Sequence, residues 1–230
     1  MKKNSNNVIS ALTKISQAIT SELYLDDILK LIVTVTAQAL GSKICSLMLL
    51  NEKNKLEIKA TQSISEQYLK KPPLRVGEGI AGQVVKTKKP VAVLDISNDK
   101  IFKYKEIAKK EGLVSMLCIP LVVKGKAIGA IDVYTAKPHR FTKKEIDILT
   151  TIANQSAVVI ENTELIVKTK VISEELETRK LVERAKGILM RKNNLSEEAA
   201  YRVIQKQAMN RRKSMKEVAE AILIMSDIEK

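Results

Sequence analysis

Ser115-Met-Leu-Cys-Ile-Pro-Leu-Val-Val-Lys-Gly-Lys-Ala-Ile-Gly-Ala-Ile-Asp-Val-Tyr-Thr135 decides the class of the fold. Two apolar runs, Ser115 to Val123 and Lys126 to Thr135, flank Lys124-Gly125, the arrangement expected of a tight hairpin. Upstream, Ile44 to Leu50 and Lys55 to Thr61 surround the turn-forming Asn51-Glu52-Lys53-Asn54 and predict a second hairpin. In its second strand Leu56, Ile58 and Ala60 alternate with charged residues, so one face is expected to be wet. Val91 to Ile96 predicts a further strand. The period changes on the N-terminal side. Val8, Leu12, Ile15 and Ile19 form a helical stripe, and Leu25, Ile28, Leu29, Ile32, Val35 and Ala39 form another that ends at Gly41, a plausible C-cap. The expectation for this part is an α+β domain, an antiparallel sheet with flanking helices.

Beyond this segment the punctuation stops. All five prolines lie at or before Pro138, and of eight glycines only Gly187 lies beyond Gly129. The rest should be all-helical. Thr142-Lys-Lys-Glu145 reads as a capping box that opens a long helix. Along it Ile146, Leu149, Ala153, Ser156, Ile160, Thr163 and Val167 follow a heptad-like spacing. Unbroken to Lys192, it would be ~75 Å long at 1.5 Å per residue. An isolated helix of that length needs a partner, so its first half is expected to pack on the sheet and the remainder to meet the same helix of a second chain. Ser196 then caps a second helix to about Asn210, and Ser214-Met-Lys-Glu217 opens a third to about Asp227. Leu181, Ala185, Ile188 and Leu189, then Ala199, Ala200, Val203, Ile204 and Ala208, then Met215, Val218, Ala219 and Ile222 are the three apolar stripes of a small three-helix bundle.

Composition narrows the function classes. At 45% hydrophobic residues the chain can bury a core, and no stretch approaches the ~20 apolar residues of a membrane span. The polar start is no signal peptide, so the cytoplasm is the expected location. Cys45 and Cys118 lie in separate apolar runs and read as buried small side chains, and one histidine, His139, leaves no metal constellation. His139, beside Pro138, reads as a solvated loop residue. The net charge is +14, which suits an acidic partner such as nucleic acid. Its placement weakens that inference: residues 1–172 carry 27 Lys and Arg against 16 Asp and Glu, whereas residues 173–230 carry 13 against 10.

Arg75-Val-Gly-Glu-Gly-Ile-Ala-Gly82, Lys89-Pro-Val-Ala-Val-Leu-Asp95 and Cys118 to Gly129, completed by Phe141 and the helix from Glu145, resemble a GAF domain, here over residues 1–165. The resemblance implies a sensor with a pocket between the sheet and the helices after the third strand. It places Asp95, Phe102, Tyr104, Ile107 and Met116 as candidate ligand-binding residues. It names no cofactor; a small ligand of undetermined identity is expected. The cyclic-nucleotide motif and a bilin-linking cysteine are not evident.

Arg184-Ala-Lys-Gly-Ile-Leu-Met190, Leu195-Ser-Glu-Glu-Ala-Ala-Tyr201, Ala208, Met215 and Val218-Ala219 resemble an ANTAR domain, residues 173–230, joined to the sensor by a coiled-coil helix over 142–180. This implies a homodimer that binds paired RNA hairpins in nascent leader transcripts and prevents a terminator from forming. The candidate RNA-binding residues are Lys186, Arg191, Tyr201, Arg202, Lys206, Arg211, Arg212 and Lys213. The cations would contact phosphate, and Tyr201 would stack on an unpaired base. No catalytic and no metal-binding residue is expected. Two alternatives stay open: a GAF-type redox or small-molecule-binding enzyme with a helical dimerisation tail, and a DNA-binding regulator. The thiols do not look activated, and the third helix carries Glu217 and Glu220 where a recognition helix should offer donors to bases.

Overall fold

The computed structural model of the chain describes residues 2–18, 24–63 and 65–228. The chain folds as two compact units, residues 1–164 and 165–230. Among the described residues, no helix is long and apolar enough to cross a membrane.

The first unit is built on six antiparallel strands. In chain order they are β1 (Ile44–Leu50), β2 (Lys55–Thr61), β3 (Leu74–Arg75), β4 (Val91–Val93), β5 (Ser115–Val123) and β6 (Lys126–Thr135). Their spatial order is β3-β2-β1-β6-β5-β4. Both predicted hairpins form over the expected residues, and the β5–β6 ladder runs from Val123 beside Lys126 to Ser115 beside Thr135. β4 is shorter than the expected 91–96, because the chain bends after Val93 and Asp95 caps the turn that follows.

The sheet is covered on both faces, and strand alternation decides which side chain goes where. Cys45, Leu47 and Leu49 on β1, Leu117, Ile119 and Leu121 on β5, and Ile131 and Val133 on β6 share a core with three helices. These are α1 (Lys2–Ala18), α2 (Leu25–Leu40) and the first part of α6 (Lys143–Asn193). α2 ends at Gly41, whose left-handed φ of 62° makes it the expected C-cap. Ile15 of the α1 stripe is buried, and Ile19 lies outside the described residues. The intervening positions, Ile44, Met48, Met116, Cys118, Ala130 and Tyr134, join the opposite core. There they meet α3 (Glu66–Leu69), α4 (Gly79–Thr87) and α5 (Lys105–Lys110).

α6 opens with the expected capping box: Thr142 N–H donates to Glu145 Oε2 at 2.7 Å, and Glu145 N–H to Thr142 Oγ1 at 3.3 Å. Its heptad-spaced residues Leu149, Ala153, Ser156 and Ile160 are all fully buried in the first unit. This is the packing expected of the first half of the helix, and a side chain packed on its own sheet has no surface left for a partner. Elsewhere on α6, Val167 of the same spacing is exposed, as are Ile166 and Val171 and a run of Val158, Leu165 and Ile172, spaced by seven, with Leu176 four residues on.

In the second unit the last part of α6 packs with α7 (Glu197–Arg211) and α8 (Met215–Ile228). The core is Val182, Ala185, Ile204, Ala208, Val218 and Ala219, flanked by Leu181, Leu189, Met215 and Ile222. Ser196 accepts the Ala199 N–H at 3.2 Å, and Ser214 exchanges backbone bonds with Glu217, as their capping patterns predict. Val203, expected in the stripe of α7, is exposed. Val182 takes a core place instead.

Candidate functional sites

A cavity lies between β1, β2, β5 and β6 on one side and the segments 68–81 and 102–104 on the other. Its free volume is ≈ 40 Å³, room for roughly three waters at 10–15 Å³ each. Leu56, Leu74, Ile80, Phe102, Met48 and Met116 make much of it apolar. Of the expected ligand-binding residues, Phe102, Tyr104 and Met116 line it. Asp95 does not. Its carboxylate accepts from Ser97 N–H and Oγ and from Asn98 Nδ2, bonds that hold its pKa below the usual value. Ile107 is also outside the wall, half-buried against the neighbouring core. Position after the third strand does not bring these two to the cavity, which draws most of its wall from β1, β2 and the chain around α3 and α4.

The charged groups of the cavity are absent from the sequence-based set of ligand residues. Asp132 alternates with Ile131 and Val133 and so points from β6 into this side of the sheet. It is 1% exposed, and its Oδ1 has no hydrogen-bond partner among the described residues. Its Oδ2 is 3.5 Å from the Tyr134 hydroxyl. Burial raises its pKa to about 6, against the opposing pull of a bond from Cys118 and the charge of Lys71. Lys71 stands at the other side. Its ammonium lies 3.3 Å from the centre of the Tyr68 ring and 5.4 Å from that of Tyr104, and burial lowers its pKa to about 8. Tyr68 in turn bonds Ser46 Oγ at 2.7 Å, and Tyr104 donates to the Pro72 carbonyl at 2.6 Å. Lys103 is committed to Glu78 at the rim. A signal for Asp132 does exist in the sequence: a carboxylate in a strand whose other residues are apolar on both faces has no wet side to occupy.

Cys45 and Cys118 are free thiols and wholly buried, and burial pushes both pKa values well up. His139 is bonded through Nε2 to Glu145 at 2.9 Å and packs edge-on against Phe141. Among the described residues, no cluster of His, Cys, Asp and Glu could hold a metal ion.

The cations of the second unit divide into two sets. Lys186, expected at the RNA surface, is 6% exposed, and its ammonium is held by Glu183 at 2.9 Å and Glu197 at 2.7 Å. It is therefore a strut between α6 and α7. Arg202 pairs with Glu198 at 2.6 Å and Lys213 with Glu217 at 2.7 Å, though both stay exposed. Lys216 reaches Glu177 at 3.6 Å. By contrast, Arg191, Lys206, Arg211 and Arg212 are exposed and make no ion pair among the described residues. Arg211 and Arg212 mark the end of α7, with Arg212 as its left-handed cap at φ 53°. Tyr201 is exposed, and it borders a groove lined by Glu174, Glu175 and Glu183 together with Arg179, an edge with an excess of negative charge.

A family model described as a GAF domain matches residues 22–161, and one described as an ANTAR domain matches residues 171–223. The transcriptional regulatory protein PdtaR of Mycobacterium tuberculosis is 41% identical over 103 residues, 45% of this chain and 48% of that protein. The phosphoenolpyruvate-dependent phosphotransferase system protein of Escherichia coli is 23% identical over 159 residues, 69% of this chain and 21% of its own length. The chain thus spans about half the length of the first of these relatives and about a fifth of the second. Among solved structures, the GAF domain of a phosphoenolpyruvate-protein phosphotransferase from Coxiella burnetii superposes with a TM-score of 0.63 at 25% identity, covering 72% of this chain and 99% of that one. A free methionine-R-sulfoxide reductase from Neisseria meningitidis shares the fold, with a TM-score of 0.59 at 18% identity, over 69% of this chain and 91% of that one.

Proposed function

The chain belongs to the GAF domain family and carries an ANTAR domain behind the GAF domain, and from that premise we propose that it is a ligand-responsive transcription antitermination regulator. The GAF cavity takes a small molecule, and the ANTAR helices bind paired RNA hairpins in a nascent leader transcript. The observation that carries the nucleic-acid half is the partition of cations. Arg191, Lys206, Arg211 and Arg212 stay clear of carboxylates, whereas the lysines around the start of α8 are neutralised by Glu217 and Glu177. A DNA-reading helix needs free donors at that start. The free cations lie instead on α7, at its end and on the last turns of α6, where they suit binding to a phosphate backbone.

Two copies act together in this reading. Val158, Leu165, Ile172 and Leu176 form an exposed stripe along α6, with Asn162 and Thr169 at the intervening positions. A second α6 covers that stripe as a coiled coil, the lone Asn162 setting the register. Two ANTAR domains then grip two hairpins, and linkage multiplies their affinity. The redox alternative is disfavoured by the buried, protonated state of both thiols, since the thiolate is the nucleophile.

A gel-shift titration of the full chain against a tandem stem-loop RNA and a duplex DNA of equal length tests this. The RNA should bind more tightly. Lys206→Ala with Arg212→Ala should weaken it at every salt concentration and flatten the salt dependence by about 0.7–0.9 in log–log slope for each phosphate no longer neutralised. Arg202→Ala, already paired, should do less. Equal binding of DNA, or RNA binding indifferent to the double variant, removes the proposal.

A further inference from the structure

We infer that the ligand of the GAF cavity is a small zwitterion of the α-amino-acid type, its ammonium on Asp132 and its carboxylate on Lys71 and the start of α4. This rests on the reading of that cavity as a ligand site and adds the chemical class.

Size comes first. Space for roughly three waters leaves no place for a nucleotide or a tetrapyrrole between these walls, since pockets for such ligands run to several hundred Å³. What fits is a group of a few heavy atoms.

Charge comes second. Among the described residues, Asp132 is the one carboxylate in the wall, and its Oδ1 has no partner although the residue is 1% exposed. A buried polar atom left unmatched costs free energy that a bound donor recovers. A ligand ammonium is the strongest such donor, and a charge-assisted bond forms. The Phe102 ring, which Lys71 does not occupy, stands in the same wall.

The opposite sign is provided too. Lys71 lines the cavity, makes no ion pair among the described residues, and rests on ring faces that give it only weak compensation. Beside it, Gly79, Ile80 and Ala81 form the first turn of the nine-residue α4. The first amide of that helix to find a helical carbonyl is Gly82, which bonds Glu78 at 3.1 Å. The three preceding N–H groups lie outside the ladder at the positive end of the helix, where a carboxylate is favoured. A zwitterion answers both ends at once and leaves the cavity neutral. An amine alone would bring a second cation into the cavity with Lys71, and an acid alone would set its carboxylate against Asp132. Met48, Phe102 and Met116 leave an apolar wall for a short side chain.

The test compares L-alanine with alaninamide, which keeps the ammonium and loses the carboxylate, and with N-acetylalanine, which does the reverse. Binding to the full chain is followed by calorimetry at neutral pH, with glycine and L-leucine as size probes. L-Alanine should bind, and either blocked analogue should bind about tenfold more weakly or worse, the loss expected of one charge-assisted bond. Asp132→Asn should abolish L-alanine binding. Lys71→Met should weaken L-alanine while leaving alaninamide unchanged. The blocked analogues carry the test without any variant, so a misfolded variant would not spoil it. N-acetylalanine binding as well as L-alanine, or alanine binding that survives Asp132→Asn, overturns the inference. Binding of cyclic AMP or cyclic GMP with none of the amino acids overturns it while the sensory reading stands. No binding by any of these probes, with hairpin RNA binding intact, sinks the amino-acid assignment and leaves the RNA half untouched.

Discussion

Asp132 occupies a strand position where neither face meets water, and the cost of that placement is measurable. Its pKa is raised from 3.8 to about 6, mainly by desolvation. The folded state therefore holds the proton more tightly than the unfolded chain. The contribution of the protonated group is complete below about pH 4, is lost as pH rises toward 6, and stays lost above it. A shift of about two units corresponds to about 3 kcal/mol. Lys71, Tyr68, Tyr134, Cys118 and Cys45 are the titratable groups coupled to it, and of these only Lys71 carries a compensating charge. Asp132→Asn should therefore stabilise the protein at pH 7.5 by about 1–3 kcal/mol and remove its loss of stability between about pH 4 and 6. Urea denaturation at several pH values checks both, and an asparagine variant that is less stable at every pH would show the carboxylate to be structurally required. Gly129 sets the opposite kind of limit. A Cβ there would lie 2.1 Å from the Met48 carbonyl oxygen of the neighbouring strand. Gly129→Ala should thus cost at least the roughly 1–3 kcal/mol typical of overpacking, seen as a lower denaturation midpoint. At this scale the sequence is only partly legible. Phe102, Tyr104 and Met116 are recognisable as aromatic or apolar residues in the right region, while Asp95, which carries the same charge as Asp132, is a turn cap. Asp132 shows only through its neighbours, apolar on both faces of the strand, because spacing alone does not reveal which charges are dry.

Hairpins and caps are legible almost to the residue, because turn chemistry and capping boxes are local and little else competes with them. Lys124-Gly125 and Asn51 to Asn54 lie where the chain reverses, and Thr142, Ser196 and Ser214 sit at their helix starts. α6 is harder for a physical reason. A helix that packs on a sheet and a helix that packs on another helix both repeat apolar residues every three to four positions, so periodicity identifies stripes without saying what covers them. Leu149, Ala153 and Ile160 belong to the sheet. Leu165 and Ile172, 46% and 64% exposed, belong to no core among the described residues. Leu165→Glu with Ile172→Glu would place repelling charges along the proposed seam. Sedimentation velocity should then show a monomer, while circular dichroism keeps the helical signal and the thermal transition of the buried core is little changed. A wild-type chain that already sediments as a monomer at micromolar concentration would rule out this seam.

Charge makes sense for the whole molecule only once it is sorted by placement. The excess of basic residues lies mainly outside residues 173–230, and within them much of the charge is spent on pairs such as Lys186 with Glu183 and Glu197. Net charge thus indicates an acidic partner without locating it, and only the ion-pair geometry separates struts from free cations. If the cavity governs the helices proposed to bind RNA, the coupling must be a free energy shared by both ligands, because a ligand shifts an equilibrium only by its differential affinity for the two states. Such coupling is reciprocal. A cavity ligand that changes hairpin affinity by some factor must have its own affinity changed by the same factor when hairpin RNA is bound. Typical couplings of about 1–3 kcal/mol correspond to about 5–150-fold, well within reach of calorimetry. Titrating the cavity ligand into the full chain with and without saturating tandem hairpins, and the hairpins with and without saturating ligand, should return one factor from both directions. Leu165→Glu with Ile172→Glu should reduce that factor toward one while leaving ligand affinity in the absence of RNA unchanged, because the variant removes the proposed joint between two copies and touches no cavity residue. A factor that persists in the monomeric variant would mean that the signal passes within a single chain and that the dimer serves only to double the grip on RNA.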